Sequence, residues 1–537
     1  MSDTTAPPLD RHPVLAPWVQ GTLLFALAFV LRAATALAGF PSGSEQLWLG
    51  RSQHYVRHLL LFDLPTITST EHGRATMPGI TTSIVGGLAR LGWGGARDLG
   101  VVSFPGELFS QSRSGLIASQ LLVSAAIAGL VVLLWWVLRR WSTPVVAVTA
   151  AVLVATEPAL VFDGTKLTTD PFVTLFGVIG AFALAAALDV PAGRGLDGRA
   201  RRVLAIVAGI GIGGALLSKV FALAFGPFFA GLVVYAVVRA WPHRERVREA
   251  LLLTALAVVV ALVLIAILWP ALWADPHGQL KVVERSARMG SDKHQIFFLG
   301  EVSTNPSPFF YALTVPLRMT PWLFVLSVAG VVAGLRTRAL RGFAVVTFAY
   351  VAVPIVAILV AQAKFVRYSY PLWPSFAVLA GLAVQWLATW SRARGAREGR
   401  AAELVAVGAI AGIVTYALLV VPYGGAYANP LLGGGPVAQE VMAMSNELQA
   451  EAGYYIRDRE GDRCGERRIL TNSFRKWFPC GEVVTSPSKL RPGDYVVLTG
   501  TSTRLGAEAH AVPGKKVRHV ATIEVRGVDI ADVSQVT

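Results

Sequence analysis

Long apolar segments separated by short polar ones dominate the chain. Residues 121–137 and 251–269 contain no charged side chain at all. A helix needs about 20 consecutive apolar residues to cross a bilayer, so the pattern predicts an all-α polytopic membrane protein. About eleven spans are predicted from hydropathy. They cover residues 17–38, 114–138, 144–162, 170–188, 203–217, 219–238, 250–272, 314–335, 343–361, 370–390 and 402–421.

Arginine clusters orient these spans. The clusters follow the second, fourth, sixth, eighth and tenth predicted spans, at residues 139–140, 194–202, 239–248, 336–341 and 392–400. Because Lys and Arg are concentrated in cytoplasmic loops, all five connections are expected in the cytoplasm. Residues 1–16 are then a cytoplasmic segment without the pattern of a cleaved signal peptide. The protein is expected in the plasma (inner) membrane, with its C-terminus outside.

The predicted outer side receives two long loops, 39–113 and 273–313, together with the C-terminal tail. In the first loop, apolar and polar residues alternate with helical spacing over 47–62, which predicts an interfacial helix lying on the bilayer. The membrane domain is therefore expected to cover residues 17–426, with both long loops as its extracytoplasmic parts.

Residues 427–537 differ from the rest in composition. A helical pattern over 437–457 precedes several short apolar runs that end at prolines and glycines, as strands do. Those runs are residues 468–471, 482–485, 494–498 and 517–525. This predicts a small extracytoplasmic α/β domain. It holds both cysteines of the chain, Cys464 and Cys480, which are candidates for a disulfide because disulfides persist outside the cytoplasm.

The composition agrees with the prediction of a membrane protein and argues against a nucleic-acid-binding protein. Of the 537 residues, 54% are hydrophobic and 15% are charged, whereas soluble domains have about 25% charged residues. The net charge is +15, and such a basic balance suits nucleic-acid binding in a soluble protein. Here much of the arginine lies between spans and does not alternate with aromatic residues, so nucleic acid is not expected as a partner.

Three lysines break the charge rule and indicate where the chemistry lies. Lys166, Lys219 and Lys364 each stand at the edge of an apolar run on the predicted outer side. Further polar residues accompany them on that side: Glu45, Asp163, Asp170, His294 and Arg367. Cations placed against the rule at a membrane surface favour an anion bound there. The pattern predicts a membrane enzyme that handles a phosphate-bearing lipid.

Structural alternatives exist for five of these groups. Lys219 could snorkel to the interface without further role, and Lys364 with Arg367 could be interfacial anchors. Asp170 precedes Pro171 and could simply cap the helix that follows. Glu45, in a loop, could be solvated.

Short motifs along the membrane part resemble those of a known family. They are Glu45 with Trp48, Arg51 and Ser52, TMPGITT at 76–82, Glu157-Pro158, LTTDP at 167–171, LLSK at 216–219, WPALWADP at 269–276, HQIFFLG at 294–300, KFVRY at 364–368 with Pro371 and Pro374, and ANPLLGG at 428–434. In order and predicted side they resemble the GT-C glycosyltransferases of the bacterial protein O-mannosyltransferase and aminoarabinose-transferase type, which use polyprenyl-phosphate sugars. The chain departs from that family at two positions. Ser44 replaces the first-loop Asp, the family's favoured base, and Met77 replaces a His.

The resemblance implies a sugar transfer that inverts the anomeric carbon. The donor is a polyprenyl-phosphate sugar, and the acceptor is a hydroxyl of a protein, lipid or glycan on the extracytoplasmic side. Glu45 and Asp170 are the expected catalytic carboxylates, and a divalent ion between them is left open. The expected residues for the lipid phosphate and the sugar are Lys219, Arg367, Lys364, His294, Arg51, Lys166 and Tyr368. The alternatives are a transporter or flippase of lipid-linked sugars, and a non-catalytic relative suggested by Ser44 and Met77.

Overall fold

The computed structural model describes residues 15–38, 40, 42–67, 78–98, 111–191, 193, 195–288, 293–444, 446–471, 478–500, 512 and 514–537. Thr76 and Met77, the first two residues of the TMPGITT motif, lie outside the described residues.

Most of the described chain is helical. The α-helices are α1 Pro17–Ala38, α2 Gly43–Leu60, α3 Ile80–Asp98, α4 Gln111–Trp141, α5 Pro144–Thr156, α6 Pro158–Asp163, α7 Asp170–Ala187, α8 Gly198–Ser218, α9 Gly226–Ala240, α10 Arg244–Leu268, α11 Ala271–Ala274, α12 Pro276–Arg288, α13 Phe310–Arg318, α14 Pro321–Arg336, α15 Arg338–Val360, α16 Trp373–Arg394, α17 Ala396–Val420, α18 Gly434–Val441 and α19 Ala450–Glu460. The strands are β1 Ile296–Phe298, β2 Glu301–Ser303, β3 Arg468–Thr471, β4 Glu482–Val484, β5 Tyr495–Thr499, β6 Val517–Val525 and β7 Val528–Val536.

The prediction of a membrane protein with many helical spans is confirmed. Within the described ranges, eight helical segments are long and apolar enough to cross a membrane, or nine if the bent pair Val407–Val420 and Tyr423–Leu432 is one span. The shorter apolar helices α5 and α14 coincide with two further predicted spans. Every predicted span thus overlaps a helix, while the total of eleven stays a prediction.

Helix α7 forms the centre of the bundle. Its apolar window is 94% buried, more than that of any other candidate span in the described chain. Small residues allow this packing: a Cβ placed on Gly211 of α8 would lie 2.5 Å from the backbone nitrogen of Gly180 in α7. Close backbone contact at small residues is the usual way in which membrane helices pack. The bundle therefore holds the first residue of α7, Asp170, in a fixed place.

The C-terminal residues form a five-stranded sheet in the order β4-β3-β5-β7-β6, with parallel pairs on the β3 side and antiparallel pairs on the β7 side. Cys464 and Cys480 are joined as a disulfide with their Cα atoms 5.7 Å apart. The sequence runs anticipated β3 to β6 but not β7. Arg526 and Gly527, both with positive φ (55° and 74°), make the tight turn that returns the chain as β7.

The predicted continuous helix over 437–457 is wrong. Helix α18 ends at Val441, and α19 begins only at Ala450. Between them, Met442 forms an isolated bridge with Phe298 of β1, and Val441 accepts a hydrogen bond from Leu299 N at 3.0 Å. The helical spacing of apolar residues hid this break. Its consequence is that residues 442–444 reach the membrane domain.

Candidate functional site

A cavity of about 290 Å³ lies at one end of the helix bundle. Its polar wall residues are Ser42, Ser44, Asp163, Lys166, Thr168, Asp170, Arg318 and Arg367. The apolar part of the wall is Phe162, Phe365, Val366, Tyr370, Gly425, Met442, Ala443 and Met444. These residues come from connections that the sequence predicted on the outer side or next to it. Arg201, in one of the arginine clusters, lies at the opposite end of α7 from the cavity, where it donates to the carbonyl of Ala187.

An ion pair between Asp170 and Lys219 stands beside this cavity. Lys219 Nζ donates to Asp170 Oδ1 at 2.6 Å, and each side chain is only 10% exposed. The ammonium also lies 4.7 Å from the centre of the Tyr368 ring. Two residues that sequence reasoning assigned to the site, 49 positions apart in the chain, therefore form one charged unit.

The loop between α6 and α7, which we call the second loop, supplies part of the cavity wall together with the end of α6. Lys166 is buried, donates to the carbonyl of Phe40 and lies 4.2 Å from the centre of the Phe162 ring. Within residues 151–170, Asp163 is the one residue that is not buried. The loop thus directs one half-exposed carboxylate and one cation to the same space.

Glu45 lies behind the wall rather than on it. Its side chain has no exposed surface. Oε1 accepts hydrogen bonds from Gln120 Nε2 and Leu167 N, both at 2.8 Å, and Oε2 accepts one from Ser42 N at 2.6 Å. Glu45 therefore fastens the start of α2 to α4 and to the second loop. Its neighbour Ser44 faces the cavity instead.

The PGITT part of the first-loop motif is a structural clamp. Gly79 has φ +59° and a Cβ there would lie 2.0 Å from the Trp48 ring, so only glycine fits. Gly79 N donates to the carbonyl of Ser218 at 3.2 Å. Thr81 Oγ1 bonds Ser218 Oγ at 2.8 Å, and Thr82 Oγ1 donates to the carbonyl of Thr168 at 3.0 Å. The start of α3 thus fixes both the turn that holds Lys219 and the loop that ends at Asp170.

Arg318 is a wall residue that the sequence analysis missed. It is 6% exposed and donates to the carbonyls of Gly425 at 2.9 Å and Tyr427 at 2.5 Å. Two residues on, Thr320 donates through N and Oγ1 to Glu157, at 2.9 and 2.7 Å. A lone arginine inside the predicted span 314–335 was the available signal, because charges within apolar runs are costly and functional.

Arg367 lines the cavity from the loop between α15 and α16, and its neighbour Tyr368 packs against Lys219. The Arg367 guanidinium is exposed and stands 5.1 Å from the centre of the Phe365 ring and 5.8 Å from that of Tyr368. Lys364 is buried instead, donates to the carbonyl of Pro306 at 3.2 Å, and has its pKa lowered by that burial. Within the described chain, Arg367 is a cavity residue and Lys364 is not.

Arg51 and His294 also lie off the described wall of the cavity. Arg51 stacks at 4.7 Å on the Trp48 ring, and burial lowers its pKa to about 10. His294 is exposed, with its ring centre 5.7 Å from that of Phe365. Arg51 and His294 thus lie beside the aromatic residues Trp48 and Phe365 and not among the polar wall residues.

The donor atoms do not fit a divalent ion between Glu45 and Asp170. All three hydrogen bonds to Glu45 come from N–H groups, and Asp170 is held by an ammonium. Both carboxylates would have to give up these partners to bind a metal, which prefers several free oxygen ligands. No cluster of three His, Cys, Asp or Glu side chains occurs among the described residues.

Comparison with known proteins places this geometry in a fold family. The family described as dolichyl-phosphate-mannose-protein mannosyltransferase matches residues 104–269. No curated protein matches the sequence. The crystal structure of ArnT from Cupriavidus metallidurans bound to undecaprenyl phosphate is similar with a TM-score of 0.53 and 14% identity, covering 96% of this chain and 97% of that one. The apo structure of the same ArnT gives a TM-score of 0.51 and 15% identity over the same shares.

Both ArnT structures cover nearly the whole chain. An identity of 14–15% is a likeness of fold, and the fold is the one that the sequence motifs predicted. The chain is thus a multi-pass, largely helical protein with an ArnT-like fold and a small C-terminal sheet.

Proposed function

We propose that the protein is a membrane glycosyltransferase that moves a sugar from a polyprenyl-phosphate donor to an acceptor hydroxyl on the extracytoplasmic side. The observation that carries the proposal is the buried Asp170–Lys219 pair beside a cavity that also holds Lys166, Arg318 and Arg367. Cations around a cavity suit a phosphate group. The ArnT structure of the same fold, which was solved with undecaprenyl phosphate, supports the same ligand class.

In this proposal Arg367 and Lys219 hold the donor phosphate. Their charges stabilise the negative charge that grows on the phosphate as the bond to the sugar breaks. The start of α2 lies at the same wall through Ser42 and Ser44, and its positive end adds to this field. A single displacement inverts the anomeric carbon. Asp170 keeps Lys219 in place between turnovers.

Glu45 is proposed to position the site rather than to react. Its full burial and three hydrogen bonds leave no oxygen directed at the cavity. The remaining predicted residues act around this centre: Lys166 shapes the wall, Tyr368 packs against Lys219, and Arg51, Lys364 and His294 order the loops beside the cavity. The proposed set differs from the sequence expectation in three ways. Arg318 is added, Glu45 and Asp170 position other groups, and Arg51, Lys364 and His294 no longer contact the substrate.

The assay for this proposal follows a radiolabelled sugar from undecaprenyl-phosphate mannose and undecaprenyl-phosphate aminoarabinose into membrane acceptors. Membranes containing the protein are expected to convert at least one of the two donors to free undecaprenyl phosphate and labelled product. An Arg367→Ala variant is expected to lose at least about 10-fold in transfer, because a charge-assisted phosphate contact contributes about 1.5–3 kcal/mol. Sugar that crosses the membrane still attached to its lipid would favour a flippase instead. Intact protein that consumes neither donor would favour a non-catalytic relative.

Sidedness is proposed from the charge pattern and the disulfide. The arginine clusters indicate the cytoplasm, which leaves the cavity and the C-terminal sheet outside. In intact cells, Cys464 and Cys480 are expected to resist alkylation until a reductant is added. Replacing both by Ser is expected to destabilise the domain by about 3 kcal/mol, the value for a loop near this 16-residue separation. Thermal unfolding measures the second effect, and thiols that react without reductant would contradict the orientation.

A further inference from the structure

We infer that Asp163 is the catalytic carboxylate that accepts the proton of the acceptor hydroxyl. The inference rests on the proposed glycosyl transfer and names the group that this chain uses. Asp163 is the last residue of α6, and its backbone carbonyl accepts a hydrogen bond from Lys166 N at 2.9 Å. Its side chain lines the cavity, together with Ser44 and Asp170.

The other candidate groups are less suitable. Ser44 carries a hydroxyl that makes a 3.1 Å contact with Ser42 Oγ, and a neutral hydroxyl is a poor proton acceptor. Glu45 has no exposed surface and does not line the cavity among the described residues. Asp170 is buried, with little contact to water, and it already serves as the ion-pair partner of Lys219. Asp163 is the carboxylate of the described cavity wall that is only half-buried, so it meets water as well as the cavity.

Three features make Asp163 suitable. It is half-buried in a stretch that is otherwise buried, so it meets both the cavity and water. The buried guanidinium of Arg32 lies beside the end of α6 and interacts electrostatically with Asp163. Arg32 in turn is fixed by the carbonyls of Ala155 and Leu160, at 3.2 and 3.4 Å.

Gly164 allows this arrangement. A Cβ at Gly164 would lie 2.6 Å from Arg32 Nε, so a larger residue would push the arginine away from the end of α6. The position after Asp163 therefore has to be small. The end of α6 thus places a carboxylate of the cavity wall beside a buried cation from α1.

The transfer balances without a further reactant. The acceptor oxygen bonds to the anomeric carbon while the bond from that carbon to the phosphate oxygen breaks, and the electron pair leaves with the phosphate. The acceptor proton passes to an Asp163 carboxylate oxygen. After the product leaves, the proton is released to water from the half-exposed side chain.

The test compares wild type, Asp163→Asn, and Asp163→Asn combined with Ser44→Asp in full-length protein in nanodiscs. Substrates are the two undecaprenyl-phosphate sugars above, and binding of undecaprenyl phosphate is measured separately. Asp163→Asn is expected to lower kcat at least about 100-fold, as for a lost general base. It should leave lipid-phosphate binding unchanged. Asp458→Asn, at an exposed site of the C-terminal domain, is the control variant and should behave as wild type.

Rescue separates chemistry from structure. Ser44→Asp adds a carboxylate to the same cavity. In the Asp163→Asn background it is expected to raise kcat at least about 10-fold above that of Asp163→Asn alone. If Asp163→Asn acted only by damaging the fold, adding Ser44→Asp would not raise kcat. If the Asp163→Asn variant is as active as wild type, the assignment of Asp163 is wrong while the proposed function stands. The same holds if the variant folds and binds the lipid but Ser44→Asp does not raise its activity. A wild-type protein that consumes neither donor would overturn the proposed function itself.

Discussion

Asp170→Asn is expected to reduce sugar transfer at least about 100-fold while undecaprenyl phosphate still binds. Removing one partner of a buried ion pair costs about 3–5 kcal/mol, because the remaining charge has lost its counterion. Here the remaining charge is Lys219, whose side chain is 10% exposed. Without Asp170, the ammonium is free to hold the phosphate more tightly. The expected signature is therefore a lower kcat with an unchanged or lower KM for the donor.

Lys219→Met is expected to act on the other side of the same pair. It leaves Asp170 without its cation and removes a phosphate contact, so both donor binding and transfer should fall. In a double-mutant cycle the two losses are expected to be non-additive, since both variants break one contact of 2.6 Å. Additive losses would contradict a shared role.

The chain offers a matched control for this pair. Arg201 and Glu249 also form an ion pair, at 2.7 Å, but at the opposite end of the helices. Glu249→Gln removes a carboxylate from an ion pair, as Asp170→Asn does, and its effect on transfer is expected to stay within about twofold, as for a partly exposed ion pair. If both variants lose activity equally, the loss reflects the stability of the bundle and not the cavity.

The sequence predicted the fold well because its signals are local. An apolar run of membrane length predicts a helix without knowledge of its neighbours, and the arginine clusters orient such runs one after another. Lys219 was predicted as a site residue for the same reason, as a cation at the outer edge of an apolar run, and Asp170 was predicted from its place in the short LTTDP motif. The ArnT-like fold of the whole chain agrees with that prediction.

Features that depend on distant contacts were not accessible in this way. Met442 and Met444 reach the cavity because the chain leaves the helical path after Val441 and pairs with Phe298. Arg318 was counted inside a span, because its partners, the carbonyls of Gly425 and Tyr427, lie more than 100 residues away. Neither contact produces a repeating pattern of apolar and polar residues from which it could be predicted.

Glu45 shows a second limit of sequence reasoning. Ser44 and Glu45 are adjacent, and the spacing alone does not say which of them faces the cavity. Helix α2 begins at Gly43, so consecutive residues point about 100° apart around its axis. Ser44 is therefore turned to the cavity while Glu45 is turned to Gln120 and Leu167. Glu45 thus has a structural position, and its predicted catalytic role stays a prediction.

Glu45→Ala is accordingly expected to destabilise the membrane domain by on the order of 3 kcal/mol or more. The substitution leaves the N–H groups of Ser42, Leu167 and Gln120 without their acceptor, and each unsatisfied buried group costs about 1–3 kcal/mol. Glu45→Gln keeps one acceptor oxygen and is expected to cost less. Thermal unfolding of the purified variants, compared with transfer per folded molecule, measures the two effects separately.

Glu157→Gln provides the comparison for Glu45→Gln. Glu157 is also buried, 1% exposed, accepts two hydrogen bonds from Thr320, and does not line the described cavity wall. Both variants are expected to lower the unfolding temperature and to keep the pH dependence of kcat, with kcat per folded molecule within about threefold of wild type. A Glu45→Gln variant of wild-type stability that has lost transfer would instead make Glu45 the reacting carboxylate. Because Glu45 accepts its hydrogen bonds from α2, α4 and the second loop at once, we expect its removal to loosen the wall that holds Ser44, Lys166 and Asp170 together.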